Sequence, residues 1–333
     1  MFKMEAVLCE LEKLKVDRIL RLTTRLVLEA ADIVKEMRKN QGPGFASIKS
    51  EPGGWDMVTD ADCASEYHIV CGLLNDPAMA RAKVLAEEQD EKMVQNHKSQ
   101  LAITEDYEQL PAIEFFVGVD GIDGSANFYF GKSGYGIQVF FLRFGKEFGS
   151  VIYCPEINGG LLVVSEVGVG VFCFEAGNSV PYAGNLRQPE VLGKKKQGLL
   201  LGDSTVIQRE YAAIVYALTQ ECFTESCISS AVMFANLLSG KVNLIFHRPR
   251  PSYDCGPGFV GIKALENQYD ITVAFFRITQ ENKIEWLPGA DWGDETGWLA
   301  GCSDLVEKYK SVVEQNFGLE YTFAQPKSLT AGA

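Results

Sequence analysis

No run of apolar residues in this 333-residue chain approaches the roughly 18 that a membrane-crossing helix needs, so an integral membrane protein is not expected. Histidine is scarce: His68, His97 and His247 are the whole complement. The GxSxG, HExxH and Cys/His patterns of covalent and zinc-dependent hydrolases are missing. The nine cysteines are odd in number and scattered, without a CxxC pair or zinc spacing. Several sit in apolar runs, where a thiol behaves as a small hydrophobe, so neither disulfides nor structural zinc are expected. Positive charge is also short. A formal charge of −13 opposes counterion-driven binding to nucleic acid or to an anionic membrane surface. The N-terminal MFKMEAVLCELEKLKVDRIL interleaves acids and bases with its apolar positions and lacks the unbroken apolar core of a secretory signal, which makes the cytoplasm the expected location.

What is present reads as a globular chain, 47% apolar and 23% charged, long enough for two packed lobes or one large α/β unit. Apolar residues recur at three and four from Val16 to Met37, which predicts one long helix packed on a sheet. NQGPGF ends it, KSEPGGW makes a loop, and DADCASEYHIVCGLL resumes helical spacing with Asp62 near its start. AKVLAEEQDE reads as a short strand running into acids, and Lys92 to Ala112 as a polar, irregular insert. IEFFVGVDGIDG is a strand, followed by β-branched and aromatic runs broken at hairpin intervals, a meander of antiparallel strands. Beyond Gly177 strand and helix alternate. The predicted fold is a layered α/β (α+β) sandwich, with an antiparallel meander lobe over 1–176 and an α/β lobe over 177–333.

Acid clusters mostly solvate surfaces. Glu87, Asp120 and Asp123, however, each lie where a β-run gives way to a turn, the edge at which α/β sheets collect ligands. An EF-hand needs ligands at alternate positions, and Asp120 and Asp123 are spaced by three. GKS at Gly131–Ser133 copies the end of a P-loop, but the upstream glycine is misplaced. A hard-metal site suits VDGIDGSANFYFG better: Asp120 and Asp123 reach neighbouring cations, the turn between them offers a carbonyl, and Gly121 and Gly124 permit the tight geometry. Oxygen ligands select Mg²⁺ or Mn²⁺ over zinc. A helix starting near Ser125 would aim its first amides at a phosphate held by those ions.

DGIDGSANF matches the pattern D-P-[IL]-D-G-[ST]-x-N-F at all but one place, and DMVTDAD and AEE before it and YDCGPG and the closing GWLAGCSDLVEKY after it stand in the order of the family's other signatures. With these motifs the chain resembles the inositol monophosphatase family of metal-dependent, lithium-sensitive phosphomonoesterases, from about Val16 to Tyr309. The resemblance implies that family's fold, hydrolysis of a small sugar or cyclitol phosphate, two or three Mg²⁺ ions, and a homodimer. It implies that Glu87, Asp120 and the Ile122 carbonyl bind one ion, that Asp120, Asp123 and Asp254 bind another, and that Glu87 touches a weaker third. It further implies a water acidified by an ion and oriented by Ser125, whose hydroxyl Asp62 holds, with Gly124 and Ser125 beside the phosphate.

Ser229 and Ser230 match a substrate-facing helix start, where they bond ligand hydroxyls or simply cap the helix. His247, seven before Asp254 and followed by Arg248 and Arg250, suits a second anionic group on the substrate. That would favour a bisphosphate such as fructose 1,6-bisphosphate or adenosine 3′,5′-bisphosphate, unless the arginines merely face water. Lys49 matches a lysine near the outer ion, and Lys194–Lys196 read as a solvated loop. The departures are Gly121 for the family's proline, Ala86 for glycine, Tyr253 for tryptophan, and Cys255 and Pro257 after Asp254. They spare every metal oxygen, but Gly121 in place of proline predicts a looser turn. The alternative they raise is a catalytically weakened protein that binds a phosphorylated ligand.

Overall fold

The computed structural model describes residues 3–41, 46–48, 57–88, 113–176, 182–183, 197–202, 211–248, 251–266, 269, 271–279, 283–287 and 297–317. The expected insert at Lys92–Ala112, Lys49, Lys194–Lys196 and Arg250 lie outside these residues. Helix α1 (Met4–Lys13) buries only Val7 and Leu11, a stripe too thin to register in the sequence pattern. Helix α2 (Arg18–Gln41) is the long amphipathic element, and its Leu20, Val27, Ala30 and Val34 are fully buried. Strands β1 (Ala46–Ile48) and β2 (Met57–Thr59) pair antiparallel and lead into α3 (Asp60–Leu74). Thr59 and Asp62 close a reciprocal capping box at the start of α3, so Asp62 is fixed by the same bonds that begin the helix.

The first sheet has seven strands in sequence order: β3 (Lys83–Ala86), β4 (Phe115–Asp123), β5 (Gly136–Arg143), β6 (Lys146–Cys154), β7 (Leu161–Glu166), β8 (Gly170–Glu175) and β9 (Tyr182–Ala183). The β3–β4 pair is parallel and every later pair antiparallel, the expected meander. A short helix α4 (Ser125–Tyr129) separates β4 from β5. The second sheet is built from β10 (Gln197–Gly202), β11 (Cys222–Cys227), β12 (Leu244–His247), β13 (Ile271–Ile278), β14 (Ile284–Leu287) and β15 (Gly297–Cys302), in the order β11-β10-β12-β15-β13-β14. Helices α5 (Ala212–Glu221), α6 (Ser230–Leu238), α7 (Ser252–Leu265) and α8 (Ser303–Asn316) complete the described chain.

Period-two alternation sorts the strands between layers. Val151 and Tyr153 of β6 and Leu162 and Val164 of β7 pack with α2 and α3. Their neighbours Ile152, Cys154, Leu161 and Val163 point the other way, into a core shared with Ala231, Phe234 and Leu238 of α6, Phe259 of α7, and Phe275, Trp298 and Ala300 of the second sheet. The far face of the second sheet packs Leu244, Phe246, Phe276 and Leu299 on Ile214 and Leu218 of α5 and Val306 and Tyr309 of α8. The layers thus run helix, sheet, helix, sheet, helix. Helices pack on both faces of each sheet, which is why central strands such as β4, β5 and β12 read as nearly continuous apolar runs. No helix among the described residues is long and apolar enough to cross a membrane.

Two glycines mark where β4 and α7 close on each other. A Cβ on Gly118 would fall 1.9 Å from the Phe140 ring, and one on Gly256 would fall 2.6 Å from it. Phe140 of β5 therefore fills a slot whose walls both lack side chains, and Gly256, within the unusual CGPG run, is one wall.

Candidate metal and active site

In a regular strand, residues three apart face opposite sides. Asp120 and Asp123 do not, because the register slips between them: Asp120 pairs with Gln138 and Asp123 with Gly136. Three steps along β4 match two along β5. The extra residue is a β-bulge at Gly121–Ile122, which returns the second carboxylate to the side of the first. This is the physical reason for two aspartates spaced by three at a strand end. Gly124 follows in the left-handed region at φ 90°, turning the chain into α4.

Four carboxylates meet at one cleft. Glu87 arrives from the end of β3, Asp120 and Asp123 from β4, and Asp254 from the first turn of α7, where the helix dipole favours its charge. Met57, Ile122, Gly124, Ser125, Ala126 and Ile228 complete the lining among the described residues, none of it lysine or arginine. One oxygen each from Glu87, Asp120 and Asp254 lie within 4.8 Å of one another. Asp120 is buried, its Oδ1 has no hydrogen-bond partner, and Oδ2 receives only a long 3.4 Å bond from Gln138 Nε2. Burial, reinforced by Glu87, Asp123, Asp254 and Asp62, pushes the Asp120 carboxyl well above the usual range.

An orphaned, buried carboxylate oxygen among three other acids, with no basic side chain lining the cleft among the described residues, fits a divalent cation. The donors are all oxygen, which matches Mg²⁺ or Mn²⁺. Asp123 lines the same cleft but stands outside the three-carboxylate group. Its Oδ2 accepts from Ser229 Oγ at 2.8 Å and from the Ala231 N–H, so it also clamps the start of α6.

Beside the acids, Ser125 Oγ lies 2.5 Å from Asp62 Oδ1 and 2.8 Å from the Ile122 carbonyl. Thr59 donates both its N–H and its hydroxyl to the other Asp62 oxygen, Oδ2. Burial raises the Asp62 carboxyl to about 6 against the pull of the Ser125 and Thr59 bonds, and Glu87 adds to the rise. Glu66, one turn along α3 from Asp62, is buried and accepts the Glu88 N–H at 3.2 and 3.0 Å, which fixes the backbone next to Glu87. Glu66 was not singled out from sequence, although its four-residue spacing from Asp62 places both on one helix face.

Three expected substrate contacts fall elsewhere. Ser229 is fully buried and its hydroxyl is engaged twice, accepting from Val232 N–H at 3.1 Å as the α6 cap while donating to Asp123. Of the two roles open to it in the sequence, capping is the one its bonds serve. Ser230 is buried in the first turn of α6 and does not line the cleft. His247 is buried within the second sheet. Its ring stacks on Trp298 at 5.2 Å, its Nδ1–H donates to the Arg248 carbonyl at 2.8 Å, and its edge fills the space a Cβ on Gly202 would take. An imidazole held that way is a core residue of the sheet and does not line the cleft.

A sequence model of the inositol monophosphatase family matches residues 15–265. The extragenic suppressor protein suhB of Bartonella henselae superimposes with a TM-score of 0.66 at 18% identity, over 90% of this chain and all of that one. An IMPase of Thermotoga maritima gives a TM-score of 0.64 at 15% identity, covering 87% of this chain and 94% of its own. Among curated proteins, a 3′(2′),5′-bisphosphate nucleotidase 1 of Dictyostelium discoideum is 27% identical over 196 residues, which are 53% of this chain and 61% of the nucleotidase. The structural matches establish the common fold, and with the family match over most of the sequence the chain belongs to the inositol monophosphatase family.

Proposed function

We propose that the protein is a Mg²⁺-dependent phosphomonoesterase that hydrolyses a small sugar or cyclitol phosphate. The observation that carries this reading is the convergence of one oxygen each from Glu87, Asp120 and Asp254, together with a buried Asp120 Oδ1 that has no hydrogen-bond partner. A cleft to which the described residues bring four carboxylates and no base repels a phosphate until cations reverse its sign. Those three carboxylates would hold the ions, with Asp123 and the Ile122 carbonyl at the edge of the set. Bound there, the cations supply charge to the phosphate oxygens and acidify a water.

The chain's own residues handle orientation and the proton. The Ser125 hydroxyl proton goes to Asp62 Oδ1, which leaves an Oγ lone pair to accept from a water in the cleft. Because both Thr59 donors occupy Asp62 Oδ2, Oδ1 is the oxygen left for Ser125. A carboxyl raised to about 6 is a better proton acceptor than an ordinary aspartate. Gly124, Ser125 and Ala126 line the place where the phosphate would sit.

Release of phosphate from inositol 1-phosphate, fructose 1,6-bisphosphate and adenosine 3′,5′-bisphosphate, each with and without Mg²⁺, tests the reading. Mg²⁺-dependent turnover of the monophosphate is the expected result. Turnover of bisphosphates alone would replace the cyclitol assignment with the second reading, which the bisphosphate nucleotidase relative favours. Ligand binding without turnover of any of the three would leave only a binding protein. Li⁺ in the millimolar range is expected to lower the Mg²⁺-dependent rate by competing within the carboxylate set, and an unchanged rate would remove that part of the proposal. A homodimer in the cytoplasm is the accompanying expectation, to be measured by light scattering and by localisation of a tagged chain.

A further inference from the structure

Gln138 lies on β5 opposite Asp120 and is fully buried. Its Nε2 donates to the Asp254 carbonyl at 3.0 Å and, more weakly, to Asp120 Oδ2 at 3.4 Å. Both neighbours are acceptors, which fixes the amide with its NH₂ toward them. Its Oε1 has no hydrogen-bond partner. Leaving a buried amide oxygen unserved is destabilising, a cost that an apolar residue of similar size would avoid. The NH₂ contact is what the glutamine offers in return.

The two groups it joins belong to separate layers. Asp120 comes from the first sheet and Asp254 from α7, between the sheets, yet their carboxylates converge on one point. Two residues along the same face of β5, Phe140 occupies the slot between Gly118 of β4 and Gly256 of α7. β5 therefore spaces β4 from α7 twice: by a ring in the apolar part of the interface and by an amide at its polar end.

We propose that Gln138 is a positioning residue for cation binding, its NH₂ holding the backbone of Asp254 at a set distance from the Asp120 carboxylate. The inference rests on the cation reading given above and adds a residue that bonds the Asp120 carboxylate and the Asp254 main chain without itself being an acid. Removing the donor keeps every carboxylate in the chain but lets α7 and β4 drift apart, so affinity for the ion falls while contacts to the substrate persist.

The probe is Mn²⁺, titrated against the substrate-free protein and followed by the electron paramagnetic resonance of the free ion. Gln138→Met keeps the volume and removes the donor, and Gln138→Ala removes it without adding bulk to a packed layer. Both are expected to weaken Mn²⁺ binding about 10-fold or more, to move the Mg²⁺ activation midpoint by the same factor, and to leave the substrate KM at saturating Mg²⁺ unchanged. A loss of folded protein would lower the amplitude of the titration without moving its midpoint, which separates positioning from a general packing defect. Wild-type binding with an unchanged midpoint in either folded variant overturns the inference alone. Failure of the wild-type protein to bind Mn²⁺ overturns the cation reading, and this inference with it.

Discussion

Asp120→Asn is expected to lower Mg²⁺-dependent phosphate release by on the order of 10³-fold while making the metal-free protein more stable. The two effects share one cause. Asp120 is buried beside Glu87, Asp123 and Asp254, and its carboxyl is raised well above its ordinary value. Between the ordinary and the raised values the folded state therefore holds a proton that the unfolded state has lost. Stability falls as pH rises through that interval, and above it the full penalty of a buried, crowded charge applies. Asparagine is neutral throughout, keeps the shape, and removes the penalty. A rise in Tm on the order of 1–2 °C without metal at neutral pH follows if about 1 kcal/mol is recovered, with a flatter dependence of Tm on pH. In the wild type, Mg²⁺ should raise Tm because it binds the folded state alone, and in the variant that rise should be lost. Thermal scans with and without Mg²⁺, beside a phosphate-release assay, measure all of this. A variant with full activity, or one less stable than wild type without metal, would remove Asp120 from the centre of the site.

The elements that were legible in the sequence are those whose pattern is local. The α2 stripe, the meander β4–β8 and the start of α3 at Asp60–Asp62 each follow from spacing within one segment. The site was legible through its acids, because carboxylates at strand ends are rare enough to notice. What stayed hidden depends on pairing across the chain. Gln138 is one glutamine in an apolar strand until β5 is laid against β4, and only then does it stand opposite Asp120. His247 looked like an anion ligand because its neighbours in sequence are arginines, whereas its neighbours in space are Trp298 and Gly202. Ser229 offered a hydroxyl at a helix start, and the cap and Asp123 took it. β11 went unseen because Cys222–Cys227 carries polar residues and pairs parallel at a sheet edge, which leaves no alternation to read.

Gly121→Ala is expected to cost about 1–3 kcal/mol of stability and on the order of 10²-fold in rate, although it adds a single methyl group. The expectation from sequence was that glycine in place of proline loosens the turn. Packing assigns it another role. A Cβ at this position would lie 2.6 Å from the Asp62 carbonyl oxygen and 3.0 Å from the Glu66 backbone nitrogen. Both are backbone atoms of α3, so no side chain can swing aside, and α3 itself must move. The helix is drawn down on the strand at this point, with Ser65 Oγ donating to the Gly121 carbonyl at 2.8 Å. Moving it displaces Asp62, which holds Ser125, and Glu66, which holds the backbone beside Glu87. One methyl group thereby disturbs the proton acceptor and a carboxylate of the cluster together. Gly121→Pro, which restores the family's residue, places a Cβ against the same atoms and should give no gain. Chemical denaturation and phosphate release on both variants test this. If Gly121→Ala keeps the wild-type stability and rate, the contact between α3 and the bulge is slack, and the loss of proline reflects mobility after all.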